Sequence, residues 1–131
     1  MELKCFHHAA IICSDYERSK NFYCNILGLK IVAENYRATR NSWKLDIALP
    51  DGGQLELFSF PDPPKRPSKP EAMGLRHLAF TVDDITDSKR YLENSGIYVE
   101  DIRTDPYTNA RFTFFKDPDD LPLELYEMRK E

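Results

Sequence analysis

The chain has 131 residues, of which 41% are hydrophobic and 12% aromatic, and its formal charge is −4. That length and composition suit one compact core and exclude a disordered chain. The charge is mild and no lysine/arginine block occurs, which argues against a nucleic-acid partner, and no apolar run reaches the roughly 18 residues of a membrane span.

The first segment, "MELKCFHHAAIIC", has too short an apolar run and the wrong flanks for a signal peptide. Cys5, Cys13 and Cys24 are odd in number and contain no C-x-x-C pair. They read as buried or reduced thiols, and with them a cytoplasmic protein is expected.

An apolar strand is predicted near 4–13. A helix follows, capped by Ser14 or Asp15, with Tyr16, Ser19, Phe22, Tyr23 and Ile26 at helical spacing and Gly28 as its stop. Three strands come next, near 29–36, 42–49 and 53–60, the last two joined by the turn "PDGG". The stretch "PDPPKRPSKPEAM" cannot add a strand and reads as a semi-extended connector over about 61–73.

The same series then repeats. With His8 set against His77, "HAAIICSDYERSKNFYCNILGL" lies over "HLAFTVDDITDSKRYLENSGIY". The second series predicts a strand near 75–83 and a helix capped by Asp83 or Asp84. Ile85, Ser88, Tyr91 and Leu92 mark the inner face of that helix, and Gly96 ends it. Strands near 97–104, 111–116 and 121–128 follow, the last pair joined by "DPDD". The fold class is therefore α+β. Two tandem βαβββ modules, about 3–60 and 74–128, make a single domain over 1–131, with a cupped mixed sheet around a site and helices outside.

Alternation along the strands assigns faces. Leu55 and Leu57, like Leu123 and Leu125, belong under the helices, which turns Glu56 and Glu124 to the other side. His8 and His77 fall on that side as well, through the repeat. A carboxylate at the centre of an apolar strand is costly unless a cation or proton meets it. Two imidazoles and two carboxylates balance one divalent ion. Zinc, nickel or cobalt suits them, as does iron(II) or manganese. His7 is out of register with the repeat and is given no role.

These residues carry a resemblance. "HHAAIICSDYERSKNFYCNILGL", "LRHLAFTVDD" and "FKDPDDLPLELYE" resemble the opening strand, the F-Y-x-x-x-L-G helix end and the D-P-D-G-x-x-x-E-L hairpin of the glyoxalase I/vicinal oxygen chelate superfamily, with Asp120 where glycine is usual. The resemblance implies metal ligands at His8, Glu56, His77 and Glu124, one divalent ion per site. It also implies a metal-dependent lyase or isomerase using enediolate-type proton transfer on a small vicinal-oxygen substrate. Glu124 is then the base and Glu56 its counterpart for the opposite face. Glu56 separates this set from the fosfomycin thiol transferases and extradiol dioxygenases, which use two histidines and one glutamate.

The glutathione-using members carry an arginine and an asparagine where this chain has Ile12 and Phe60, so glutathione dependence is not expected. The alternatives are a metal-dependent epimerase of the methylmalonyl-CoA type and a non-catalytic binding module of the bleomycin-resistance type. Arg37, Arg40, Trp43 and Lys44 in "NYRATRNSWK", with Tyr107 and Arg111 in "DPYTNARF", read as loop residues at a pocket rim. Of these, Arg37, Arg40, Trp43 and Arg111 are the expected substrate contacts, and the two arginines Arg37 and Arg111 are the expected partners of an anionic group. A small-molecule substrate and a homodimer complete the expected partners.

Overall fold

The computed structural model describes residues 1–128. The chain forms two units, Met1–Lys65 and a second beginning at Arg66. Between Ser59 and Leu78 no helix or strand forms among the described residues, so the proline-rich stretch adds nothing to either sheet.

The first unit contains β1 (His8–Cys13), a helix, β2 (Lys30–Arg37), β3 (Ser42–Ala48) and β4 (Gln54–Ser59). Its strand order is β1-β4-β3-β2. β1 runs parallel to β4, while β3 is antiparallel to both its neighbours. The second unit repeats this plan with β5 (Leu78–Val82), α2 (Ile85–Asn94), β6 (Arg103–Thr104), β7 (Arg111–Lys116) and β8 (Pro122–Glu127), in the order β5-β8-β7-β6. The architecture is the expected pair of βαβββ modules with mixed sheets.

Asp15 caps the first helix by accepting from Arg18 N at 3.1 Å, and Asp84 caps α2 by accepting from Asp87 N at 3.0 Å. Gly28 and Gly96 close the helices at φ +75° and +83°, a conformation that costs glycine little. The first helix is not uniform. α1 proper spans Tyr16–Lys20, and Asn21–Ile26 is π-helical, with Leu27 N donating to Phe22 O. The wider turn lets two consecutive aromatics, Phe22 and Tyr23, both reach the interior, edge to face at 5.0 Å.

Each core lies under its helix. Ile11, Cys13, Leu45, Ile47, Leu55 and Leu57 are buried in the first unit, and Phe115, Leu123 and Leu125 occupy the matching face of the second. A fully buried aliphatic side chain contributes about 1.5–3 kcal/mol. This face is what holds each sheet to its helix, and it leaves the opposite face free for polar side chains.

Three expectations need correction. The opening strands are shorter than predicted, so His77 precedes β5 rather than lying within it. The strand predicted over 97–104 shrinks to Arg103–Thr104, because other groups take the backbone before it. Lys89 Nζ donates to Glu100 O at 2.9 Å, Thr113 Oγ1 donates to the same carbonyl at 2.7 Å, and Glu100 N reaches across to Phe114 O. Tyr91, expected on the inner face of α2, is exposed. Asp120, by contrast, adopts φ +65°, the conformation that glycine would take. Aspartate tolerates it, and Asp117 Oδ1 accepts from Asp119 N and Leu121 N to fix the turn.

A polar tie joins the first helix to β2. Tyr16 Oη and Lys20 Nζ both donate to Glu34 Oε2, the lysine at 2.7 Å. The lysine hydrogen bond, then that of the tyrosine, holds the Glu34 carboxyl below its ordinary value of 4.5. A carboxyl lowered by folding adds stability above its ordinary value, and that stability is lost as pH falls through the lowered one. Glu34→Gln is therefore expected to cost less than about 1 kcal/mol near neutrality, given its partial exposure. Below pH 4.5 the wild-type and variant urea curves should converge. A gap that stays constant on acidification would rule this tie out.

Candidate metal and substrate site

In the first unit, β1 and β4 pair in parallel with Ala10 beside Glu56. Because Leu55 and Leu57 turn into the core, Glu56 turns to the other face, which it shares with His8. The His8 Nδ1 atom lies 3.4 Å from Glu56 Oε2. The Glu56 side chain retains only 13% of its exposure, so its position answers the cost of an acid inside an apolar strand: it has cationic company. Lys44 Nζ stands 3.7 Å from Glu56 Oε1 and 2.7 Å from Asp46 Oδ1. The Asp46 hydrogen bond holds the Lys44 ammonium above its ordinary range, against the opposing effect of burial. His7 Nδ1 also approaches His8 Nδ1, at 2.8 Å.

The second unit builds the same pair by the same register, with Ala79 beside Glu124. His77 Nε2 lies 2.9 Å from Glu124 Oε2, and this glutamate side chain is again 13% exposed. Its surroundings differ. Phe114 stands opposite Glu124 across the β7–β8 ladder and meets the His77 ring edge-on at 5.1 Å. Thus Asp46 beside Glu56 corresponds to Phe114 beside Glu124, and Lys44 beside Phe58 corresponds to Phe112 beside Tyr126. One carboxylate has charged neighbours and the other aromatic ones.

The structure brings together two His–Glu pairs. Among the described residues, no group of three or more His, Cys, Asp or Glu side chains is drawn close enough to hold a metal ion. Each pair offers an imidazole nitrogen and a carboxylate oxygen on one partly exposed face, a donor set that fits a borderline divalent ion.

The expected rim residues divide. Tyr36 and Arg37 belong to β2 and Trp43 and Lys44 to β3, so the loop between them is only a short 3-10 turn, Ala38–Arg40, closed by Asn41 at φ +46°. Trp43 points to the helix side, stacked on Tyr16 at 5.3 Å, and is not on the face of Glu56. Arg111 is a β7 residue whose guanidinium grips Glu127 at 3.0 and 2.7 Å, a partner that commits it to the fold. Arg37 and Arg40 lie over the Phe58 and Phe60 rings.

Comparison with known proteins places this arrangement. The sequence profile of the Glyoxalase/Bleomycin resistance protein/Dioxygenase superfamily matches residues 6–125. The chain belongs to that superfamily. Among its relatives, the uncharacterized protein YaeR of Escherichia coli (strain K12) is 61% identical over 95% of this chain and 97% of its own. The uncharacterized protein YwkD of Bacillus subtilis (strain 168) is 59% identical over 97% and 99%. The crystal structure of a glyoxalase family protein from Enterococcus faecalis superposes with a TM-score of 0.90 at 47% identity, covering 97% of this chain and all of that one.

Within this superfamily member, Asp46 and Phe114 are site neighbours that sequence reasoning missed, and Lys44, expected at the rim, stands beside Glu56 itself. The signal was present in "SWKLDIAL", where polar Ser42, Lys44 and Asp46 alternate with buried Leu45 and Ile47. Reading the first of these as a loop concealed that they share the face of Glu56.

Proposed function

We propose that this chain is a metal-dependent lyase or isomerase of the glyoxalase type, acting by proton transfer on a small vicinal-oxygen substrate without glutathione. The observation that supports it is the recurrence, at the same register in each unit, of a histidine beside a sheltered glutamate on the face away from the helix. His8, Glu56, His77 and Glu124 are the proposed ligands of one divalent ion. When bound, such an ion supplies Lewis-acid polarisation of the substrate oxygens.

The chain's own residues do the rest. Glu124 takes the proton from the hydroxyl-bearing carbon and returns it to the former carbonyl carbon, while the hydroxyl proton passes to the former carbonyl oxygen, so hydroxyl and carbonyl exchange places without net oxidation or reduction. Phe114 and the His77 ring, edge to face at 5.1 Å, stand beside that carboxylate. Glu56 serves the opposite face, with Lys44 and Asp46 fixing its position. Ile12, exposed on the His8 side of β1, offers no grip for a glutathione carboxylate, and Phe60 offers no amide.

Elemental analysis of protein purified without chelator, then of apoprotein reconstituted with zinc, nickel, cobalt, iron(II) or manganese, tests the ligand set. About one ion per four-residue set is expected. His8→Ala and His77→Ala should each lower metal affinity by at least tenfold, in line with loss of a direct ligand. Absence of metal both on isolation and on reconstitution would overturn the proposal.

A further inference from the structure

We propose that Arg37, set over the Phe58 and Phe60 rings, and Arg40, set over Phe60, form a subsite for an anionic oxygen group, a carboxylate or phosphate, carried by the substrate. This rests on the reading that the Glu56 face receives substrate. It assigns the substrate a class, a small vicinal-oxygen compound bearing an acid group.

The placement follows from the backbone. Arg37 is the last residue of β2 and is paired with Ser42, the first of β3. Arg40 ends the tight turn between these strands. Both guanidiniums are therefore delivered to one end of the sheet by a rigid connection. Phe58 follows Glu56 by two residues in β4, on the same face, and Phe60 extends that line. The Arg37 Cζ atom lies 4.8 Å from the Phe58 ring centre and 5.7 Å from that of Phe60, and Arg40 Cζ lies 5.8 Å from Phe60. Stacking on an aromatic face fixes the plane of a guanidinium and leaves its N–H edge for a planar or tetrahedral oxyanion.

Charge points the same way. Arg76, Arg90, Arg103 and Arg111 each hold a carboxylate, of Glu71, Asp87, Glu100 and Glu127 respectively. Neither Arg37 nor Arg40 has a carboxylate within 4.0 Å among the described residues. Lys44, the nearest cation along the strand, is taken by Asp46 and Glu56. The uncompensated positive charge on this face thus belongs to Arg37 and Arg40. Arg37 also carries an unmet demand: Nη2 donates to Ser42 Oγ at 3.0 Å, but the buried Nε has no acceptor. A buried donor is rarely left so, and a small rotation of the guanidinium toward an incoming oxyanion would satisfy it. Phe60 gains a purpose as well, since a ring there is a platform for two guanidiniums and an asparagine would not be.

The test is a titration of the full chain, metal-free, with inorganic phosphate and separately with malonate at constant ionic strength, following the arginine Nε–Hε signals by NMR. Saturable shifts confined to Arg37 and Arg40 are expected with either probe. Arg37→Met should weaken binding about tenfold or more, and Arg37→Lys, which keeps charge but not the fork, by an intermediate factor. Arg40→Met tests the same point at an exposed position whose loss leaves the fold intact, and thermal melts of each variant confirm folding. Binding of either probe should survive Glu56→Gln, which separates this subsite from the ligand set. The proposal is overturned if neither probe gives a saturable shift, or if both Met variants bind as wild type does. Failure to bind metal with anion binding intact would remove the metal reading alone.

Discussion

Glu124→Gln is expected to fold, melt and bind small anions as wild type does, yet to lose about 10²–10⁴ of its turnover, the usual contribution of a positioned base. The substitution is nearly isosteric. Leu123 and Leu125 on either side remain in the core, and an amide still meets His77. What disappears is the ability to accept a proton from carbon. Glu56→Gln removes a carboxylate at the equivalent register and should cost less, because the two are not equivalent in company. The Lys44 ammonium already stands beside a Glu56 oxygen, whereas Glu124 faces Phe114 and an imidazole.

Deuterium wash-in from solvent into the C–H of a panel of 2-hydroxycarbonyl compounds reads the proton transfer directly. Metal content measured in the same samples separates a lost base from a lost ligand. Wild-type wash-in by Glu124→Gln would eliminate Glu124 as the base. Equal losses in the two variants, at equal metal content, would mean the neighbours make no difference.

What the sequence made legible was whatever local chemistry decides. The caps at Asp15 and Asp84, the stops at Gly28 and Gly96, and the alternation that buries Leu57 and Leu123 each depend on residues within a few positions, and each can be read one stretch at a time. The His8–Glu56 and His77–Glu124 pairs were legible for a different reason. Duplication wrote the same pattern twice, which distinguishes a designed placement from one coincidence.

Long-range partners were not legible. Nothing near Arg111 announces that Glu127 will take its guanidinium, because that meeting depends on the β7–β8 register. Trp43 and Lys44 are adjacent in sequence but belong to opposite faces, so a loop assignment merged two roles that the strand separates. The shortened β6 also escaped prediction, since Lys89 and Thr113 reach its approach from a helix and a neighbouring strand.

Glu127 also carries the largest stability effect expected outside the aliphatic core. Its side chain is only 5% exposed and meets two demands at once. It accepts from Ile85 N at 3.0 Å, one of the unpaired N–H groups of the first turn of α2, and from Arg111 at 3.0 and 2.7 Å. Glu127→Ala leaves that buried N–H unsatisfied, a loss of about 1–3 kcal/mol, and leaves the guanidinium without its carboxylate, which adds to it. A melting midpoint lower by on the order of 10 °C follows for a domain this size. Glu127→Gln keeps an acceptor for the helix and should recover most of that loss.

The consequence reaches the site. Glu127 lies on the face of β8 opposite Glu124, with Leu125 between them in the core. By locking β8 to the start of α2 and to β7, it fixes the strand that presents the proposed base. Glu127→Gln should then turn over at close to the wild-type rate, while Glu127→Ala, measured well below its own melting midpoint, should lose kcat more than it alters KM. An alanine variant as stable as wild type would remove Glu127 from this role, and so would one that is destabilised but fully active.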